Sequence, residues 1–264
     1  MGFFGNKEKP LTEDELRGWG ETHIMNNIGP FWAALGFDSK DKIHSVLQTC
    51  VEKKGSIVVD KTVRSARLQV LEEENGFYSM SLLNGSIITF FPKIYSSAVT
   101  HAKIKSVMEM GNLFEAFAEL QVGPAGLRVF LTDYFENKEK YVQGASLQLC
   151  LGGIAMNCKP YNITKETFKD KNGKPLTVSE DFAGIFPVNP GVGVYSAVGK
   201  ITDSRQTTIL VEQEQRFKLQ IINEPKIFVE LIGSEKNNKL PPIGKHAFSN
   251  FWLQAHIQKN GVKA

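Results

Sequence analysis

The chain has 264 residues, which allows one large domain or two of ordinary size, each with its own core. Hydrophobic residues make up 42% and charged residues 22%, a composition typical of soluble globular proteins that excludes a disordered chain. The formal net charge of +3 neither requires nor excludes a polyanionic partner. No apolar run approaches the roughly 18 residues that a membrane span needs, so we expect no membrane contact.

The three cysteines indicate a reducing compartment. None belongs to a CxxC pair, and Cys150 and Cys158, if they lie on one extended strand, are about 26 Å apart and too distant to bond. The first ten residues lack the apolar core of a secretory signal. We therefore expect buried, reduced thiols in a cytoplasmic protein.

The chain begins with helical segments. Thr12 and Glu15 have the spacing of a capping box, and Gly29-Pro30 is expected to end the first helix. A second helix is predicted to begin at Ser39 and to end near Gly55. Its apolar face repeats with helical spacing and consists of Ile43, Val46, Leu47, Cys50 and Val51.

Beyond residue 55 the apolar period changes to two, which predicts strands. The turn dipeptides Asn75-Gly76 and Asn84-Gly85 divide the first three strands. Residues 113–122 and 127–135 predict a hairpin, with Glu115 and Glu119 on its polar face. A long strand follows at 141–158, bent at its double glycine, whereas residues 96–112 fit either a helix or a strand.

A polar stretch, residues 159–190, separates these strands from a compact second set. Five strands are predicted there, at 191–202, 206–213, 216–223, 226–233 and 247–258. The fold class is therefore mainly β (α+β), with short N-terminal helices and two antiparallel β-barrel or sandwich-like domains. The second domain is expected to be a small five-stranded barrel of the OB or SH3 type. The predicted divisions are a helical segment 1–55, a first β domain 56–160, a linker 161–184 and a barrel 185–264.

The stretch "GVGVYSAVGKIT", residues 191–202, has the composition of a phosphate-binding loop but not its spacing. Five residues separate Gly193 from Gly199, where the loop needs four, and Ile201 replaces the hydroxyl residue that holds Mg²⁺. A strand-like sequence follows where the loop needs a helix. We interpret the stretch as a first barrel strand with glycines at a close backbone approach, and Lys200 as structural or solvated.

Two further features are candidate binding sites. The first is a basic, partly aromatic segment suited to single-stranded nucleic acid, with the alternative of a solvated hairpin turning at Asn172-Gly173. Its residues are Lys159, Tyr161, Lys165, Phe168, Lys169, Lys171 and Lys174. The second is an aromatic cluster, Trp19, Phe31 and Trp32, which either packs on the sheet or docks a partner.

No residue pattern identifies a catalytic, metal or cofactor site. The five histidines lack metal-binding spacing, and no nucleophile elbow surrounds Ser196. The first hypothesis is thus a non-enzymatic binding or scaffold protein that holds a protein partner or forms a homo-oligomer. The second is a single-stranded nucleic-acid-binding protein that uses residues 159–174. The third is an enzyme whose site is dispersed along the chain, which residue spacing does not reveal.

Overall fold

A computed structural model describes residues 11–52, 56–63, 66–72, 77–81, 87–163, 168–169, 172–176, 179–209 and 212–258. Within these ranges, only the backbone is described for residues 13, 17–19, 21, 50–51, 56–63, 66–72, 77–81, 168–169 and 175–176. Strands account for 52% of the structure, so the protein is mainly β, as the sequence indicated.

The described helices are short and lie mostly near the N-terminus. They are α1 (Glu13–Thr22), a π-helical turn (His23–Ile28), α2 (Gly29–Ala34), α3 (Lys40–Glu52), α4 (Tyr134–Asn137) and a 3-10 turn (Pro190–Val192). None of the described helices is long and apolar enough to cross a membrane.

The predicted helix signals are confirmed at two positions. The Glu15 side chain accepts hydrogen bonds from both the amide and the hydroxyl of Thr12, and the Ser39 hydroxyl caps the amide of Lys42. The prediction that Gly29-Pro30 ends the first helix was wrong. Pro30 lies in the first turn of α2, where its missing amide is not needed, and the π-helical turn joins α1 to α2.

Fifteen strands lie within the described ranges. They are β1 (Ser56–Val63), β2 (Ala66–Glu72), β3 (Phe77–Ser81), β4 (Ile87–Pro92), β5 (Val99–Glu109), β6 (Ala116–Val122), β7 (Ala125–Leu131), β8 (Ser146–Pro160), β9 (Phe168–Lys169), β10 (Pro175–Leu176), β11 (Gly184–Asn189), β12 (Val194–Ile209), β13 (Glu212–Ile222), β14 (Ile227–Ser234) and β15 (His246–Ile257).

Most predicted strands are present, but the predicted strand 127–135 ends at Leu131, before the helix α4, and the predicted strand 141–158 begins only at Ser146. Of the ambiguous residues 96–112, Val99–Glu109 form the strand β5. The separately predicted strands 191–202 and 206–213 merge into β12 because polar residues 203–205 continue the extended chain. The turn dipeptides Asn75-Gly76 and Asn84-Gly85 fall outside the described residues, although β3 and β4 pair as the predicted hairpin.

Nine strands form one sheet, in the order β11-β12-β13-β14-β8-β15-β7-β6-β5. Two more pairings, β12 with β15 and β5 with β8, close this order into two circuits of five strands that share β8 and β15. The sheet is mixed, since β14 pairs with β8, and β7 with β15, in parallel. The expectation of two antiparallel barrels, the second of OB or SH3 type, is corrected accordingly: β8 and β15 pair with strands from both halves of the chain.

The double glycine of β8 marks the place where this strand changes partner. Up to Cys150 it pairs with β5, and from Gly152 it pairs with β14. A Cβ atom on Gly153 would lie 2.5 Å from the carbonyl oxygen of Trp252 in β15. Glycine is needed here because the shared strands approach each other closely as the chain passes from one circuit to the other.

The buried apolar residues form two clusters, one on each face of the sheet. The inner cluster gathers alternate strand residues of both circuits, such as Leu151, Leu219 and Leu253. The outer cluster packs the N-terminal helices and β4 against the opposite face, where Phe31 stacks on Trp252 with ring centroids 4.0 Å apart. Cys150 and Cys158 are buried and unbonded, which confirms the prediction for these two thiols, and burial raises their pKa to about 11 and about 12.

Candidate functional site

A surface groove with a volume of about 590 Å³ lies between the β6–β7 hairpin and β11. One wall consists of residues 119–121 and 125–128, and the other includes Ile185, Pro187 and Tyr195. The lining thus combines apolar side chains with the charged side chains of β6 and β7. A concave surface of this composition can hold a ligand of mixed polarity.

At Gly126, the outer edge of β7 has no paired strand in the described structure and faces the groove. In the described structure, β7 pairs with β6 over residues 117–130, but with β15 only at Phe130 and Leu131. The amide of Arg128 points away from β6 and donates a hydrogen bond to the hydroxyl of Tyr195 at 2.7 Å. Backbone groups of alternate residues point to the same edge of a strand, so the amide and carbonyl of Gly126 also face outward.

The β6–β7 turn fixes which residues face this edge. Gly123 has φ +56° and occupies the first central position of a two-residue turn, where glycine suits a type II′ hairpin. The closing pair is Val122 with Ala125, which makes Gly126 the first outward residue. A Cβ atom on Gly126 would meet nothing within 4 Å, so the groove is open space at this position.

Charged side chains line the same wall. Arg128 and Glu119 form an ion pair at 2.5 Å, and the Ser106 hydroxyl donates to the other carboxylate oxygen at 3.2 Å. The hydrogen bond from Arg128 holds the pKa of Glu119 below its usual value, which keeps the carboxylate charged and the pair neutral. Lys105 also lines the groove, is exposed, and makes no ion pair within the described residues.

The backbone of β5 directs Lys105 toward the groove. Ile104 pairs with Leu120 and Ser106 pairs with Glu119, so Lys105 is the extra residue of a β-bulge. Bulges of this kind redirect a side chain and are frequent beside binding sites. Of the charged side chains that line this wall, Lys105 is therefore the one whose charge is not neutralised by an ion pair among the described residues.

Exposed apolar side chains also lie on β11 and the 3-10 turn, outside the groove lining. Phe186 is 43% exposed, Val188 59% and Val192 40%, and we call these three residues the apolar rim. Sequence analysis did not single out this rim, because residues 184–189 read as the end of a polar stretch. Phe186 stands between Ile185 and Pro187, which both line the groove, so its side chain points to the opposite face of β11.

The glycine-rich stretch 191–202 is confirmed as part of a strand. Residues 194–202 belong to β12, and a Cβ atom on Gly199 would overlap the carbonyl oxygen of Gln220 in β13. The glycine therefore permits a close backbone approach, as the sequence indicated. Lys200 forms an ion pair with Asp181, and the hydrogen bond lowers the pKa of Asp181.

The basic segment is described only at its two ends. Lys159 is exposed, with its Nζ 5.4 Å from the centre of the Phe248 ring, and Tyr161 lies 6.4 Å from the same ring. Lys174 is exposed beyond the predicted turn, where Gly173 has φ +79° and β9 pairs with β10. The side chains of Lys165, Phe168, Lys169 and Lys171 lie outside the described residues, so the nucleic-acid role of this segment stays a prediction.

The predicted aromatic cluster lies in part within the core. Trp32 is fully buried, and its indole donates to the carbonyl of Phe90 at 3.2 Å. Phe31 is 5% exposed and stacks on Trp252. Packing on the sheet, one of the two alternatives, accounts for both residues. The side chain of Trp19 is outside the described residues, and its docking role stays a prediction.

A buried polar network was missed by the sequence analysis. Glu115, which the strand pattern placed on a polar face, is fully buried and lies 2.7 Å from the imidazole Nε2 of His23. Its other oxygen accepts a hydrogen bond from the hydroxyl of Thr89. The network joins the π-helical turn to β4 and to the loop before β6, and it lies apart from the groove.

A second buried carboxyl lies on β13. Glu214 is fully buried, neither of its oxygens has a hydrogen-bond partner among the described residues, and burial raises its pKa to about 8. Repulsion from Glu212 contributes to the same shift. Perturbed carboxyls occur in active sites, but Glu214 does not line the groove.

The described residues contain no group of three or more histidine, cysteine or acidic side chains that could hold a metal ion. The groove between the β6–β7 hairpin and β11 is the candidate site that the structure adds to those predicted from the sequence. No protein-family model, no curated protein and no solved structure matches this chain.

Proposed function

We propose that this chain is a non-enzymatic binding protein whose groove holds an extended segment of a partner protein. The observation that carries this proposal is the open edge of β7, which presents the backbone of Gly126 to a groove of about 590 Å³. An extended segment can pair with such an edge through its own backbone while its side chains fill the groove.

Selection from a random peptide library tests this function. Peptides of about ten residues, enough for one strand with flanking residues, are displayed and selected on the intact protein. We expect peptides that lose affinity for Gly126→Leu, since the new side chain enters space that the structure leaves open beside Gly126. The matched control is Ser204→Leu, which adds the same side chain at an exposed position of β12 outside the groove.

The pattern of peptide binding to the native protein and the two variants decides whether the groove is the site. Peptides that bind the native protein and the control, but not Gly126→Leu, support the groove as the site. If no peptide is enriched, or if enriched peptides bind Gly126→Leu as well as they bind the native protein, the proposed function fails.

A single-stranded nucleic-acid function is a second candidate, supported by Lys159, Tyr161 and Phe248 at one end of β8 and β15. Each lysine that neutralises a phosphate of a single strand contributes about 0.7 to the slope of log affinity against log salt. Replacing Lys165, Lys169 and Lys171 together by Gln should flatten that slope by roughly 2. The absence of oligonucleotide binding at low salt would remove this candidate.

The predicted domain division and the cytoplasmic location also stay proposals. The strands β12, β13, β14 and β15 lie within the predicted division 185–264, whereas β8, which pairs with β14 and β15, lies outside it. Two buried thiols with raised pKa values are compatible with a reducing compartment. A homo-oligomer and an enzyme with a dispersed site remain alternatives to the groove-binding function.

A further inference from the structure

The register of β11, β12, β15 and β8 places ten residues on one face of these four neighbouring strands. Residues that lie opposite each other in paired strands point to the same side of a sheet. The residues between them, such as Ala197 and Ala247, belong to the inner cluster, so the ten side chains point away from it. We call this surface the four-strand patch. Its residues are Asn157, Lys159, Gly184, Phe186, Ser196, Val198, Lys200, His246, Phe248 and Asn250.

Aromatic rings flank the centre of the four-strand patch. A Cβ atom on Gly184 would lie 2.9 Å from the ring of Phe182 and 3.1 Å from that of Phe186, so both rings lie over β11. Phe186 is 43% exposed. On the other side of β12, Phe248 lies next to Val198 and is half-buried. Because β11 and β15 are separated by two strand spacings, about 10 Å, the patch offers two separate rings to the planar groups of a ligand.

The four-strand patch carries positive charge. Its ten residues include two lysines and a histidine but no carboxylate. Asp181, which precedes β11, pairs with Lys200, and burial lowers the pKa of His246, so the imidazole is mainly neutral at pH 7. Lys159 is exposed, makes no ion pair among the described residues, and holds its Nζ 5.4 Å from the centre of the Phe248 ring. A cation beside a ring suits a ligand that joins an anionic group to a planar one.

A side-chain amide on the patch is available to the same ligand. The Ser196 hydroxyl donates to Oδ1 of Asn250 at 2.5 Å, which leaves the Nδ2 group of Asn250 without a protein partner among the described residues. Phe186 and Asn250 lie on either side of Ser196 in one row of the patch. An amide placed beside a stacked base can donate a hydrogen bond to the edge of that base.

We propose that the four-strand patch binds single-stranded nucleic acid, with bases stacked on Phe186 and Phe248 and a phosphate paired with Lys159. This inference rests on the second candidate function and places its binding surface on the sheet rather than on the basic segment alone. Proteins that bind single strands combine cations that follow the phosphates with aromatic rings on which bases stack. Ile185 and Pro187 point from the opposite face of β11 into the groove, so the patch is separate from the groove.

Fluorescence anisotropy with two labelled strands tests the patch. One is an oligothymidylate of about 12 nucleotides, a length that a small barrel can bind, and the other is an abasic strand of the same length that keeps the phosphates and lacks the bases. We expect Phe186→Leu and Phe248→Leu each to weaken oligothymidylate binding by roughly five-fold or more, with little effect on the abasic strand. Lys159→Gln should lower the slope of log affinity against log salt by about 0.7 for both strands.

Two variants outside the patch are the controls. Phe135→Leu makes the same change at a half-buried phenylalanine of α4, and Lys103→Gln removes the same charge at an exposed position of β5. Both variants should bind the oligothymidylate as the native protein does.

The affinity of each strand for each variant decides the proposal. Weaker oligothymidylate binding in the two patch phenylalanine variants, but not in the controls, supports it. If both variants bind the oligothymidylate as tightly as the native protein does, the patch is overturned and a nucleic-acid site lies elsewhere on the protein. Equal native affinity for the two strands overturns base stacking, and tighter binding of polyglutamate than of oligothymidylate overturns the nucleic-acid partner in favour of an acidic protein segment. No binding of either strand at about 50 mM salt removes both the patch and the second candidate function.

Discussion

Glu214 shows how one buried carboxyl can set the pH dependence of stability. Burial and the neighbouring Glu212 raise its pKa from 4.5 to about 8, so it is neutral in the folded protein at pH 7. The unfolded chain releases that proton near its ordinary pKa. The folded protein therefore holds one more proton than the unfolded chain between about pH 5 and pH 8.

We predict that the contribution of Glu214 to the free energy of unfolding falls by roughly 1 kcal/mol for each unit by which the pH rises across this window. The stabilisation is fully present below pH 4.5 and is lost as the pH rises through about 8. Glu214→Gln removes the titration while preserving side-chain volume. Urea unfolding at several pH values should show the variant more stable than the native protein at pH 8 and similar to it at pH 5.

The exposed Glu235 provides the control, since Glu235→Gln should leave the pH profile unchanged. A Glu214→Gln variant with the native pH profile would show that the buried carboxyl does not titrate in this range.

Local sequence patterns predicted the helix caps but not the contacts that residues make with distant parts of the chain. Thr12 with Glu15, and Ser39, formed the predicted caps because capping depends on local spacing. Glu115 could not be assigned in this way, since its burial results from His23, which approaches it from a distant helical turn. The bulge that directs Lys105 was likewise invisible, because it depends on how β5 registers against β6.

The close approach of β12 to β13 requires a glycine at position 199, and this requirement can be tested. Gly199→Ala should lower the free energy of unfolding by roughly 1–3 kcal/mol, because its Cβ would overlap the backbone carbonyl of Gln220 and a strand must shift. Gly126→Ala is the matched control: its Cβ meets nothing within 4 Å, so stability should be unchanged or rise by up to about 1 kcal/mol.

Denaturant unfolding of both variants under the same conditions measures the two effects. Equal stability of Gly199→Ala and the native protein would mean that the two strands do not approach closely at this position.

The positions of individual strands were more predictable than the pairing between them. The period-two pattern identified the β6–β7 hairpin and the long strand β8, since alternation directly reports a half-buried strand. The pattern carries no information about which strands pair across long stretches of sequence. For that reason the parallel pairing of β7 with β15, and with it the open edge of β7, could not be predicted.

The sharing of β8 between two circuits leads to a prediction for the whole molecule. Residues 185–264 contain four of the five strands in one circuit, and β8 supplies the fifth. We expect a fragment of residues 146–264 to unfold more cooperatively and at higher temperature than a fragment of residues 185–264, because β8 covers the otherwise open edges of β14 and β15. Calorimetry of the two fragments tests this expectation. Equal transitions would favour residues 185–264 as an independent domain.

The most direct test of the binding groove is amide hydrogen exchange at Gly126, measured by nuclear magnetic resonance with and without a saturating peptide from the selection. The outward amide of Gly126 should exchange more slowly when the peptide is bound, since it then donates to the peptide backbone. The amide of Leu127 points to β6 and serves as the internal reference, with little change expected. Slower exchange at Gly126 alone is the predicted result. Unchanged exchange at Gly126 with a bound peptide would contradict pairing along β7.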